Sequence, residues 1–279
     1  MSVDTANVET RSGKDRGDEN FPVASLLIRR DLRRHVHAFY AFARNADDIA
    51  DSDKLAPADK IARLDVMEDV LLGKRDQGSP SAAQLRASLS ETGVTARHAS
   101  ELLIAFRRDA TKLRYASWEE LYDYCRYSAM PVGRHVLDLH SEDGVTHAPS
   151  DALCTALQVL NHLQDAKGDL CRLDRCYIPE DLLVENGAAV GEILAPRMSK
   201  GVRRTFDALL DRVSALNEAT IDLPRRTQSR RLRLETAVIV GLSRRLCHRL
   251  RVADPVQGRV KLARCDVAAS LFTALRFLP

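Results

Sequence analysis

Two stretches of this chain carry the same polar stripe along an otherwise apolar helix, and that pairing narrows the folds open to it. The first is Tyr40-Ala41-Phe42-Ala43-Arg44-Asn45-Ala46-Asp47-Asp48-Ile49-Ala50-Asp51, where Leu32, Val36, Phe39 and Ala43 recur at helical spacing. On a helix Tyr40, Arg44, Asp47 and Asp51 fall at i, i+4, i+7 and i+11 and share one face. The second runs from Gln158 to Asp169: Gln158, Asn161, Asp165 and Asp169 follow i, i+3, i+7 and i+11, while Leu153, Leu157, Leu160 and Leu163 point elsewhere. Polar stripes set in apolar surrounds read as two walls of one cavity rather than as solvated faces.

The chemistry follows from the residue types. Two carboxylates one helical turn apart hold a hard cation through oxygen. Four carboxylates facing one cavity repel unless cations neutralise them. Mg²⁺ fits, because it takes one or two carboxylates and completes its shell with water and substrate phosphate. The joint expectation is an Mg²⁺-bridged diphosphate, with Asp47, Asp51, Asp165 and Asp169 as metal ligands and a carbon–oxygen bond made able to ionise. Asp48 extends the first motif to D-D-x-x-D but lies about 100° round the helix from Asp47, so it is the weaker ligand.

The remaining pattern is helical throughout. Expected helices run from about Pro22 or Ala24 to Asp51, then 57–74, 81–91 and 95–113. Ser117 with Glu120 signals a capping box opening a helix to about Leu139, kinked at Pro131, with Gly133 allowing close approach. A helix at 151–172 is expected to be capped by Ser150 or Asp151. A short helix ends at Gly187, and further helices span 190–221, 234–250 and 256–277. No β alternation interrupts them. The fold class is all-α, about ten helices around a central cavity: a flexible tail at 1–19, then one catalytic domain at 20–279. A net charge of +3 gives no reason to expect nucleic acid. Six scattered cysteines without C-x-x-C, and no signal-type apolar stretch, suit a reducing cytoplasm.

The motifs together resemble the squalene/phytoene synthase family over nearly the whole chain. They are Y-x-x-x-R-x-x-D-D-x-x-D at 40–51, Y-C-x-Y-x-x-x-x-x-G at 124–133, Q-x-x-N-x-x-x-D-x-x-x-D at 158–169 and R-x-Y-I-P at 175–179. The resemblance implies an isoprenoid synthase fold and Mg²⁺–diphosphate held by the four Asp residues. It implies that Tyr40, Arg44, Gln158, Asn161, Arg175 and Tyr177 contact diphosphate or order the metals, and that Tyr124 lines the cavity near the carbocation. Glu19 to Ser25, Phe39 to Asp51 and Asn161 to Asp165 resemble the branch of bacterial hopanoid pathways that forms hydroxysqualene from presqualene diphosphate. That reaction ends in capture by water, so no NADPH is expected. Condensing relatives carry Arg where this chain has Gln164, and one cation fewer suggests a site for one diphosphate rather than two.

Two other readings stand beside this one. A condensing enzyme joining two farnesyl diphosphates is opposed by Gln164, and a non-catalytic partner-binding protein of the same fold by the four retained Asp residues. His35, His37, His135 and His162 read as structural or exposed rather than as metal ligands. The arginines at 225–233 and 244–251, with the amphipathic tail 267–278, read as a solvated face or as a peripheral contact on the inner membrane.

Overall fold

The computed structural model describes residues 7–9 and 28–277. Among them it is all-α. Twelve α-helices carry the fold: α1 (Arg33–Ala50), α2 (Pro57–Leu71), α3 (Pro80–Thr92), α4 (Arg97–Asp109), α5 (Trp118–Ser128), α6 (Met130–Leu139), α7 (His147–Leu173), α8 (Glu180–Glu185), α9 (Lys200–Ala219), α10 (Leu223–Arg226), α11 (Arg230–Val252) and α12 (Arg264–Ala274). Only α8 and α10 are shorter than ten residues, so the expectation of about ten substantial helices holds. The described residues contain no strand, and outside the helices only the bridges Asn7–Gly78 and Arg114–Cys176 pair backbone in the β manner.

Local chemistry sets most boundaries. Ser79 caps α3 by accepting from the Ala82 amide, with Pro80 in the first turn, where its missing N–H costs nothing. Ser117 likewise accepts from Glu120 N, but Glu120 reaches back to the Ala116 amide, one residue before the expected partner. Ser199 caps α9 through Val202 N.

Four boundaries differ from the sequence expectation. Residues 28–32 are not helical and the first described helix starts at Arg33; the proposed start at Pro22 or Ala24 lies outside the described residues. Of the tail expected at 1–19 only 7–9 are described, with Val8 buried and its amide donating to the Gly78 carbonyl. The kink at Pro131 is a full break, because Ala129 leaves helical geometry (φ −127°, ψ −50°) and Pro131 enters the first turn of a new helix. Helix α7 starts at His147 rather than at 151, after a 3-10 turn at Gly144–Thr146, and the Asp151 carboxylate pairs with Arg134 (2.6 and 2.9 Å) instead of capping. The segment 190–221 divides into a 3-10 turn (Val190–Leu194) and α9, since Pro196 cannot continue a helix.

Two apolar clusters form the core. Phe42, Ile49, Leu64, Met67, Leu85 and Leu102 join α1 to α4, and Leu121, Leu160, Leu163, Phe206, Leu209 and Leu246 join α5, α7, α9 and α11. Each fully buried Leu or Phe is worth about 1.5–3 kcal/mol of transfer free energy. Between the clusters the helices do not close, and the gap holds the candidate site.

Candidate active site

An apolar cavity of about 320 Å³ opens among α1, α6, α7 and α11, with Phe39, Tyr40 and Ala43 on one wall and Leu153, Cys154 and Leu157 on the facing one. Gly133 lines it too, and a Cβ built there would lie 2.5 Å from Ser150 Oγ and 2.6 Å from Cys154 Sγ, so the expected close approach of another helix is real. Beyond Ala43, Arg44 and then Asp47 follow on α1; beyond Leu157, Gln158, Asn161 and then Asp165 follow on α7. At 1.5 Å per residue the carboxylates stand about 6–12 Å past the apolar lining on α1 and about 12–18 Å past it on α7. The two helices therefore pass the cavity in the same sense and carry their acids beyond the same end.

Each of these acids meets an arginine. Arg44 pairs with Asp47 (2.9 Å) and with Asp48 (3.0 Å). Arg175 Nη1 donates to Asp51 at 2.8 Å. Arg259 meets Asp165 through two nitrogens, at 2.8 and 3.0 Å. Arg172 Nη2 lies 3.8 Å from Asp169 and 4.0 Å from Asp51, so one guanidinium bridges the two walls. Burial, reinforced by the charges of Asp165 and Asp51, pushes the Asp169 carboxyl up to about 7. Asp51, Asp165 and Asp169 thus converge, while Asp47 pairs with Arg44 on its own helix.

Behind them lies a buried polar knot. Asp109, at the end of α4, accepts hydrogen bonds from Tyr124 Oη (2.7 Å) and Tyr177 Oη (2.8 Å), and its backbone carbonyl accepts from Arg175 Nη2 (2.7 Å). Burial raises the Asp109 carboxyl to about 6, against the lowering effect of Arg175 and the two phenols. The His162 ring stacks on Tyr177 at 3.7 Å, and burial depresses it to about 3, so it is a neutral packing group. Its Nε2 lies 3.2 Å from Gln158 Nε2. Tyr40 stands at the cavity wall and Asn161 is half-buried between the lining and the acids, whereas Tyr124 and Tyr177 are buried in the knot, away from the lining of the apolar cavity.

The donor set suits a hard divalent cation. Carboxylate oxygens of Asp51, Asp165 and Asp169 crowd one region, and the raised Asp169 carboxyl registers the repulsion that a cation would relieve. No group of three metal-ligating side chains is preassembled among the described residues. Mg²⁺ asks for less, since water and substrate phosphate complete its shell.

Three site residues escaped the sequence reading: Asp109, Arg172 and Arg259. Asp109 follows Arg107 and Arg108 at a helix end and looks like a surface acid; only its 5% exposure reveals it. Arg259 lies 94 residues from Asp165 in a segment without regular structure. It also corrects the argument from Gln164. That side chain is buried and donates to the Val260 carbonyl, about 100° round α7 from Asp165, while Arg259 supplies a cation beside Asp165. Counting charges along α7 alone therefore does not decide how many diphosphates the site takes.

The model of the squalene/phytoene synthase family matches residues 14–266, and the chain belongs to that family. It is 43% identical over 271 residues to the hydroxysqualene synthase of Rhodopseudomonas palustris, covering 97% of this chain and 92% of the relative. To the hydroxysqualene synthase of Zymomonas mobilis it is 41% identical over 265 residues, with 94% and 89% covered. These likenesses support an enzyme of that type. Among solved structures, the squalene synthase HpnC of Alicyclobacillus acidocaldarius matches with a TM-score of 0.74 at 35% identity, over 85% of this chain and 90% of that one. A dehydrosqualene synthase matches with a TM-score of 0.78 at 20% identity, over 93% and 92%, which speaks for the all-α isoprenoid synthase fold alone.

Proposed function

We propose that the protein converts presqualene diphosphate and water to hydroxysqualene and diphosphate, with Mg²⁺ and without NADPH, in the cytoplasm at the periphery of the inner membrane. The observation that carries this is the succession on α1 and α7 of an apolar cavity, a belt of Tyr40, Arg44, Gln158 and Asn161, and then paired carboxylates, in a chain resembling hydroxysqualene synthases over almost its full length.

Asp47, Asp51, Asp165 and Asp169 would hold Mg²⁺, which when bound supplies the positive charge that makes diphosphate a leaving group. The arginines beside those acids, Arg44, Arg172, Arg175 and Arg259, gain a second anion to bind when diphosphate arrives; guanidinium suits phosphate oxygens in paired geometry. The carbon–oxygen bond breaks with its electron pair on the diphosphate. The cyclopropylcarbinyl cation rearranges within the cavity, whose lining surface is mostly apolar. Water then forms the new carbon–oxygen bond and must lose one proton. The departed diphosphate takes that proton, while Tyr124 and Tyr177 stay tied to Asp109 behind the acids.

The test is product identity. Purified protein is given Mg²⁺ with presqualene diphosphate or farnesyl diphosphate, with and without NADPH. Hydroxysqualene from presqualene diphosphate alone supports the reading. A product from farnesyl diphosphate as sole substrate overturns it in favour of a condensing enzyme, and no product from either favours a non-catalytic role.

A further inference from the structure

An apolar strip runs along α12 and has no cover. Asp266, Ser270 and Ala274 face α11 and are buried. One position on, Val267, Leu271 and Leu275 are 40%, 45% and 53% exposed, and Phe272 beside them is 77% exposed. Single exposed apolar residues are ordinary on a protein surface, but a contiguous row marks a contact site. The strip sits on a firmly seated helix. Arg249 pairs with Asp266 at 2.6 Å, Asp266 accepts from the Ala263 amide, and a Cβ at Gly241 would lie 3.0 Å from Ser270 Oγ.

Beside the strip, α11 and α12 enclose a cleft of about 630 Å³, with Arg244, Arg245, His248 and Arg276 along its walls and Val252, 75% exposed, at its edge. Asp266, the acid among the residues lining this cleft, pairs with Arg249, and Glu218 outside it pairs with Arg244. No acidic residue occurs from Val267 to Phe277. The face is therefore apolar at its centre and positive at its flank. In the other basic group, Arg226 and Arg233 donate to the backbone carbonyls of Val145, Thr227 and Gln228, while Arg225, Arg230 and Arg231 are exposed.

Helix α11 is also the wall between this face and the apolar cavity. Leu232, Thr236 and Ile239 line the cavity on one side, and Ala237, Val240 and Gly241 line the surface cleft on the other. The exposed strip thus stands about one helix thickness from the space assigned to a C30 lipid.

We propose that the α11–α12 face is the surface by which the protein rests on an anionic lipid bilayer, the strip from Val267 to Leu275 entering the headgroup boundary and Arg244, Arg245 and Arg276 meeting lipid phosphates. No described helix is long and apolar enough to cross a membrane, so the attachment is peripheral. A second copy of the chain is the less suitable occupant, since a two-fold contact through this face would set arginines of one copy against those of the other. The proposal concerns attachment only and does not rest on the reaction proposed above.

The test is flotation of the full-length protein with vesicles of phosphatidylcholine, alone or mixed with phosphatidylglycerol, at low and high salt and without substrate. The wild type binds the mixed vesicles at low salt and leaves them at high salt or when phosphatidylglycerol is omitted. L271S/F272S weakens binding at least about tenfold, and each of R245S and R276S weakens it about fivefold. Circular dichroism verifies that the variants keep their helices, and detergent-dispersed substrate is turned over as by the wild type. Wild type that ignores the anionic vesicles, or variants that bind them equally, would overturn the proposal. So would a wild-type dimer that L271S/F272S converts to monomer with no change in vesicle binding.

Discussion

Arg175 Nη1 donates to Asp51 Oδ1 at 2.8 Å across 124 residues of sequence, fastening the end of α1 to the turn that follows α7. The same guanidinium, 4% exposed, holds the Asp109 carbonyl and lies 3.3 Å from Tyr177 Oη. One buried cation thus joins the carboxylate walls to the polar knot behind them. Arg175→Met strands two acids beside an apolar side chain and should cost about 3–5 kcal/mol in a chemical-denaturation titration. Asp51→Asn retains an acceptor for the arginine and should cost under ~1.5 kcal/mol, yet lower turnover at least ~100-fold. An Arg175→Met protein as stable as the wild type would refute this account of the joint.

Asp109 gives the fold a pH signature. Burial raises its carboxyl from 3.8 to about 6 in the folded state, so between those values the folded protein holds the proton more firmly than the unfolded chain. Its contribution therefore favours folding at low pH and is lost as pH rises through that window, by roughly 2–3 kcal/mol at most. Asp109→Asn should remove this part of the slope. Denaturation midpoints of wild type and variant at pH 4, 5 and 6 measure the difference, and parallel curves would contradict the assignment.

Much of the site was legible because helical spacing is written locally. Tyr40, Arg44, Asp47 and Asp51 share a face by periodicity alone, as do Gln158, Asn161, Asp165 and Asp169, and the structure brings these faces to one cavity end. What stayed hidden depends on chain segments meeting from afar. Asp109 finds Tyr124 and Tyr177 at separations of 15 and 68 residues, and no local pattern announces a buried acid. Arg259 comes from an irregular segment with no periodicity to read. Gln164 was readable as a lost charge, but its inward direction was not, because that depends on the 254–263 segment crossing α7.

Asp169 should show a trade between stability and function. Its carboxyl is raised from 3.8 to about 7 by burial and by the neighbouring acids, so ionising it weighs against the metal-free fold above that pH and not below its unfolded value. Asp169→Asn should raise metal-free stability at pH 8 by on the order of 2 kcal/mol, have no such effect at pH 4, and abolish turnover. Equal stabilisation at both values would contradict the charge-repulsion argument.

The Gln164–Val260 contact makes a claim about Arg259. If Gln164 holds the segment that presents the arginine to Asp165, Gln164→Ala should reproduce part of the loss caused by Arg259→Ala. Expected losses in kcat/KM are about 3–10-fold and about 10–100-fold, with helical content unchanged. A fully active Gln164→Ala enzyme beside an inactive Arg259→Ala one would show that Arg259 needs no such support.

Oxygen isotope transfer bears most directly on the central claim that the two carboxylate walls ionise one diphosphate and the cavity lets water capture the cation. Turnover of presqualene diphosphate with Mg²⁺ in ¹⁸O-enriched water, without NADPH, should give hydroxysqualene carrying one ¹⁸O in its hydroxyl. An unlabelled alcohol would mean that its oxygen came from the diphosphate and not from water, which would contradict the account.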